Sequence, residues 1–147
     1  MTSNRSKARE FALQILYEVD SAGKDPETAF ERFFEHFESS GRAPGQAPPD
    51  PTVVDYTKRA VMGVSQSREE LDALVERASI NWRVDRMPRV DRNVLRLAAW
   101  ELTRSTDIPM KVVINEAIEL AKRFGAEESG AFVNGILDKV ASEVGRT

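Results

Sequence analysis

The chain has 147 residues, 41% of them hydrophobic and 31% charged, with a formal net charge of −3, no cysteine and one histidine, His36. A chain of this length can bury a core without staples. The missing cysteines exclude disulfides, thiolate zinc sites, iron–sulfur clusters and thiol nucleophiles, and the single histidine excludes a multi-histidine metal site. The acidic total argues against a bulk polyanion binder, but the charge is unevenly spread. Arg5, Lys7 and Arg9 precede every acidic residue, and Glu18, Asp20, Asp25, Glu27, Glu31, Glu35 and Glu38 follow. A basic tip on an acidic body can bind nucleic acid locally. No apolar run approaches the roughly 20 residues needed to span a bilayer; with the lack of cysteine, this fits a cytoplasmic protein.

The periodicity is helical almost throughout. Ala8, Phe11, Ala12, Ile15, Leu16 and Val19 form a first stripe, stopped by Gly23. Asp25 and Pro26 open a second helix with an acceptor at the cap and a proline in the first turn. Its stripe is Phe30, Phe33, Phe34 and Phe37. Residues 41–51 are a Pro/Gly-rich loop that cannot continue a helix. A third helix is expected from Thr52 to Val64. Ser67 and Glu70 have the spacing of a capping box for a fourth, with Leu71, Leu74, Val75 and Ala78 inward. Trp82 and Met87 follow. Pro88 precedes a fifth helix that buries Val94, Leu95, Leu97, Ala98 and Leu102. Pro109 starts a sixth, with Val113, Ala117, Leu120, Ala121 and Phe124 in register and Gly125 as its C-terminal cap. The last helix carries Glu127 and Glu128 in its first turn and packs Phe132, Val133, Ile136, Leu137 and Val140. Asn134-Gly135 would suggest a hairpin turn, but it lies inside an intact helical period, where Gly135 is expected to permit close packing. The fold class is therefore all-α: two small helical bundles of about seven helices, an N-terminal lobe over residues 1–66 and a C-terminal lobe over 67–147.

No catalytic motif stands out. There is no phosphate-cradling glycine loop and no H-E-x-x-H. Glu116 and Glu119 lie one turn apart, but a di-iron site also needs histidines at fixed spacing, so they read as an acidic edge. His36 reads as a surface residue on an amphipathic helix. No cofactor is expected, and the chain reads as a binding module rather than an enzyme. Three features remain. Arg5, Lys7 and Arg9 would alternate in an extended arm and straddle a phosphate backbone; on residue type alone, a solvated basic terminus is the simpler reading. Arg83, Arg86, Arg89, Arg92 and Arg96 alternate with Asp85 and Asp91, either as an internal ion-pair lattice or with Asp91 and Glu101 facing a basic partner. Lys111, Asn115, Lys122 and Arg123 lie on one helix, either as a polar face or as contacts to phosphates and base edges.

Longer motifs carry more. Asn81-Trp82, Asp85-Arg86-Met87, Val90-Asp91-Arg92, Leu95-Arg96-Leu97-Ala98, Glu101-Leu102, Ile114-Asn115-Glu116-Ala117, Glu119-Leu120-Ala121-Lys122, Phe124-Gly125 and Phe132-Val133-Asn134-Gly135-Ile136-Leu137-Asp138 occur in that order. With Lys7-Ala8-Arg9-Glu10, Gln14, Leu16 and Tyr17 near the start, the chain resembles the NusB family over nearly its whole length, the 41–51 loop excepted. The resemblance implies a transcription antitermination factor. Such a factor binds the boxA element of ribosomal RNA leaders together with NusE, a small-subunit ribosomal protein, and joins an antitermination complex on RNA polymerase. It places RNA contacts at Arg5, Lys7, Arg9, Lys111, Lys122, Glu128 and Phe132, and partner contacts at Tyr17, Asp91 and Glu101. Ser6 stands where an arginine is common in the family. A NusB-like domain also occurs as an appendage of ribosomal RNA cytosine methyltransferases, but that enzyme needs a glycine-rich methyl-donor site and a catalytic cysteine, and the sequence has neither. A helical adaptor that binds only protein is the other alternative. The sequence leaves the oligomeric state open, a homodimer included.

Overall fold

The computed structural model describes residues 3–39, 49–80 and 82–146, with residues 37–39 described by their backbone only. Most of the proline-rich loop, the Phe37 side chain and Asn81 therefore lie outside the described residues. The described residues form seven α-helices and no strand: α1 (Asn4–Ala22), α2 (Pro26–Ser39), α3 (Pro51–Gln66), α4 (Arg68–Ala78), α5 (Arg89–Arg104), α6 (Met110–Phe124) and α7 (Ser129–Glu143), with a short 3₁₀ turn at Val84–Arg86. They divide into two compact units, Met1–Ser65 and Gln66–Thr147.

In the N-terminal unit the same start signal is used twice. Asp25 Oδ2 accepts from the Thr28 amide at 3.0 Å ahead of Pro26, and Asp50 Oδ1 accepts from the Thr52 amide at 2.8 Å ahead of Pro51. Each aspartate satisfies an orphan N–H of the first turn, and each proline occupies a position whose N–H is not needed. Bonds from Thr52 hold the Asp50 carboxyl below its ordinary range. Gly23 ends α1 in the left-handed region, φ 64°, where a side chain would be strained. Phe11 of α1 meets Phe33 and Phe34 of α2 at ring separations of 5.1 and 5.7 Å. On α3, the buried Thr57 hydroxyl bonds to the Val53 carbonyl at 2.7 Å and lies 3.4 Å from the Ala8 carbonyl of α1.

In the C-terminal unit α5 is the central element, buried along most of its length from Asn93 to Leu102. Arg96 of α5 reaches Asp72 of α4 with two bonds, 2.7 and 3.0 Å, and Asn93 with a third at 3.2 Å. Arg77 ties α4 to Glu143 of α7 at 2.7 Å, and Arg146 donates to the Leu102 carbonyl at 2.7 Å and to that of Ile108.

Three local expectations need correction. The Ser67–Glu70 capping box does not form: Ser67 makes no side-chain cap, and Arg104 Nη2 takes both residues, Ser67 Oγ at 3.2 Å and Glu70 Oε2 at 3.0 Å. A charged donor outcompetes a neutral amide for these oxygens. The last helix starts at Ser129, which leaves Glu128 at the cap position and Glu127 outside. Of the two glycines of the last hairpin, Gly125 caps α6 as expected and also takes the close packing expected of Gly135. Gly125 is extended rather than left-handed, φ −101°; a Cβ there would stand 2.6 Å from Ser129 Oγ and 2.7 Å from the Ala121 carbonyl, whereas nothing lies within 4 Å of one at Gly135. Gly125, not Gly135, is the close-packing residue. Gly125→Ala is expected to destabilise the protein by about 1–3 kcal/mol. Gly135→Ala, in an exposed helix interior, should stabilise it by about 0.5–1 kcal/mol. Denaturant titration of the two variants checks both signs.

Candidate nucleic-acid interface

The basic start is helical, not an extended arm. Ser3 caps α1, its Oγ accepting from the Ser6 amide at 3.0 Å, so helix geometry governs Arg5, Lys7 and Arg9. Arg5 and Arg9 share a face, and Lys7 points about 200° away. The three side chains therefore have three environments. Arg9 is 3% exposed and lies inside the protein, so it is not displayed to a phosphate. Lys7 is exposed, 5.1 Å from the Phe11 ring centre and 3.9 Å from Glu10. Arg5 lies with its guanidinium carbon 4.2 Å from the centre of the Tyr56 ring. Tyr56 belongs to α3 and is buried. Around it Asn4, Arg5, Thr52, Asp55, Tyr56 and Arg59 line a shallow cleft of about 420 Å³.

The C-terminal unit has its own cationic and aromatic surface. Lys111 and Lys122 are both exposed on α6; eleven residues, about three turns, separate them, so they share a face with Asn115 between. Lys122 Nζ is 4.0 Å from Glu119, an exposed and weak pair. Gly130 of α7 leaves room for the Lys122 stem, whose Cγ would be 3.1 Å from a Cβ there. Glu128 is exposed at the start of α7, and Phe132 follows one turn later, its amide bonding to the Glu128 carbonyl at 3.1 Å. The Phe132 ring packs at 5.3 Å against Trp82, which is 54% exposed while Met87 is buried. Ile80 turns the chain just before Trp82 with φ 56°, a left-handed conformation disfavoured for a β-branched residue. The Ser79 hydroxyl bonds to the Trp82 carbonyl at 3.0 Å and holds that turn.

The arginine-rich segment is only partly an ion-pair lattice. Arg96 pairs with Asp72 inside the unit, Arg83 pairs with Asp85 on the surface at 3.0 Å, and Arg92 donates to the Asp85 carbonyl at 3.1 Å. Of the expected partner residues, Tyr17 is 41% exposed, Asp91 is 4% exposed and Glu101 is 1% exposed. Glu101 is therefore an interior group and not a displayed anchor. Asp91 is interior as well, and its buried Oδ1 has no hydrogen-bond partner among the described residues, while Ser129 bonds to the carboxylate. Burial pushes the Asp91 carboxyl above its ordinary value of 3.8, the Ser129 bond opposing this and the Glu128 charge adding to it. A carboxyl with a raised folded pKa holds its proton more tightly in the native state. Its ionised form lowers stability at neutral pH, and that loss is relieved as pH falls through the folded pKa. Asp91→Asn is thus expected to be more stable than the parent at neutral pH, with the gap closing on acidification. A gap that is constant with pH would contradict this. His36 is exposed on α2.

Sequence reasoning passed over Arg59 and Trp82. A charged residue on an amphipathic helix and a tryptophan beside a core stripe are unremarkable as types; their ring contacts alone distinguish them.

Fold and surfaces together define an all-helical interaction protein with cationic, aromatic-backed patches on each unit. The NusB family model matches residues 6–142. The transcription antitermination protein NusB of Anaeromyxobacter dehalogenans (strain 2CP-1 / ATCC BAA-258) is 54% identical over 142 residues, covering 97% of this chain and 93% of that relative. The NusB of Myxococcus xanthus (strain DK1622) is 50% identical over 137 residues, 93% of this chain and 94% of the relative. Among solved structures, NusB of T. maritima superposes with a TM-score of 0.82 at 35% identity, covering 97% of this chain and 94% of that one. A chain from a crystal structure of antitermination factors NusB and NusE in complex with dsRNA gives 0.80 at 28% identity, covering 97% and 99%. The chain belongs to the NusB family.

Proposed function

We propose that this protein is a transcription antitermination factor. It binds the boxA element of ribosomal RNA operon transcripts together with NusE and promotes processive transcription by RNA polymerase in the cytoplasm. The observation that carries the reading is the near-full-length match to relatives of that name at up to 54% identity, on a fold shared with a protein solved with NusE and RNA. It acts by binding rather than by catalysis.

The residues divide by chemistry. Arg5 and Lys7 supply exposed charge to the RNA backbone from the N-terminal unit, and Lys111 and Lys122 do so from the C-terminal unit. Phe132, backed by Trp82, offers a ring on which an unstacked base can rest. Glu128 at the cap of α7 can accept from a base amino group. Arg9, buried in α1, holds the helix in place and acts on RNA only through it. Tyr17 faces NusE with exposed ring surface, and Asp91, buried at the start of α5, acts on the partner only through the helix it sits in. Glu101 supports α5 from within. Calorimetric titration of NusE into the protein tests the partner half of the reading. Binding that is weakened in Tyr17→Ala, with the variant melting like the parent, supports it; no heat and no complex with the parent protein would overturn it.

A further inference from the structure

We infer that Arg59 is a nucleic-acid contact and that, with Arg5 and Tyr56, it forms a phosphate clamp on the N-terminal unit. The inference rests on the RNA-binding reading above and extends it to a residue on a different helix. Two guanidiniums address one ring: the Arg5 carbon lies 4.2 Å and the Arg59 carbon 5.7 Å from the centre of Tyr56. Tyr56 is buried, so its ring is a fixed floor and not a mobile surface group. A cation resting on a ring face keeps its N–H groups available for hydrogen bonding at the edge of its plane.

Arg59 has an obvious alternative that it does not take. Asp55 stands one turn earlier on α3, at the i,i+4 spacing that ordinarily gives an ion pair. Yet Arg59 forms no ion pair among the described residues, and neither does Arg5; both are placed by the ring contact instead. The polar rim is already engaged. Asn4 donates to Thr52 Oγ1 at 3.3 Å, and Thr52 in turn donates to Asp50 at 2.7 Å. The cleft thus presents two arginines against one aspartate, with its neutral polar groups bonded to one another. Two planar forks converging on a small concave surface suit the non-bridging oxygens of a phosphodiester, which accept bidentate N–H donors. A phosphate reaching Arg5 would lie within the same cleft as Arg59, because both line it.

The test is Arg59→Gln in the full chain, titrated with boxA RNA and a scrambled RNA over a salt series, beside the parent and Arg5→Gln. Arg59→Gln should lower affinity about tenfold for both RNAs alike and reduce the log–log salt slope by about 0.7, the increment of one phosphate contact on a single strand. Its melting temperature and its binding to NusE should match the parent. Arg5→Gln with Arg59→Gln should lose less than the product of the two single effects, since both arginines hold one phosphate. If Arg59→Gln keeps full affinity and slope while Arg5→Gln loses both, the clamp is wrong and the RNA reading stands. If affinity falls with an unchanged slope and a lower melting temperature, Arg59 is structural and the clamp is wrong. If the parent binds neither RNA, the RNA reading and the clamp fall together.

Discussion

Replacing Arg5 and Lys7 together by alanine is expected to lower RNA affinity by about ten- to a hundredfold. The log–log salt slope should become shallower by about 1.4, the release of counterions from two phosphate contacts on a single strand. Both side chains are exposed at the start of α1. Neither fills the core, and the 3.9 Å Lys7–Glu10 pair is too exposed to matter to stability. Unfolding free energy should therefore stay within about 0.5 kcal/mol of the parent. Arg9→Ala should behave in the opposite way, lowering stability because its side chain is interior, with any loss of RNA binding tracking the loss of folded protein. An unchanged salt slope in the double variant would remove the N-terminal contacts from the account.

The second large effect is structural. Arg96→Ala is expected to destabilise the protein by about 3–5 kcal/mol, enough to lower Tm by roughly 10 °C. The Arg96 side chain is 4% exposed and makes a two-pronged bond to Asp72, which is 24% exposed. Truncation removes the packed stem, leaves the Asp72 carboxylate with only the 4.0 Å pair to Arg68, and frees Asn93 Oδ1. Arg96→Met should lose less, since its apolar chain fills the stem's space and Asp72 sits near enough to solvent to be hydrated. Arg96→Lys should not restore the parent, because one ammonium cannot reproduce a guanidinium's paired geometry. Denaturant unfolding of the three variants gives the order; an alanine variant within 1 kcal/mol of the parent (about a fivefold change in the folding equilibrium) would contradict it.

The helices were legible because their signals are local. Asp25-Pro26 and Gly23 mark ends that depend on neighbours a few residues away, and the stripes on α1, α5 and α6 follow the 3.6 period of buried surface. What the sequence hid is long-range. Arg104 lies 37 residues from Ser67 and 34 from Glu70, so nothing nearby shows that it takes both oxygens from the expected capping box. Asp91 and Glu101 read as charges that could face a partner because such residues are rarely buried, whereas Arg96 fitted an internal ion pair; only the packed unit shows all three inside. The basic start read as an extended arm because its helix propensity is unremarkable, whereas Ser3 and the floor offered by Tyr56 fix it as the first turns of α1. The structure sorts the candidate contacts by exposure. Arg5, Lys7, Tyr17, Lys111, Lys122 and Glu128 are displayed, Phe132 is half-buried against Trp82, and Arg9, Asp91 and Glu101 are not displayed. As candidate contacts, Trp82 (named in the sequence only as part of a motif) and Arg59 stand out by their ring contacts.

The central claim is selective recognition of an RNA element by a helical protein whose net charge is −3. It is tested most directly by equilibrium binding of the purified protein to a boxA RNA and a scrambled RNA of equal length, with and without NusE, across a salt series. The account predicts tighter binding to boxA, a further gain with NusE, and a salt slope that reports several phosphate contacts. Equal affinity for the two RNAs, or no binding even with NusE present, would contradict it and leave a helical adaptor that engages protein alone.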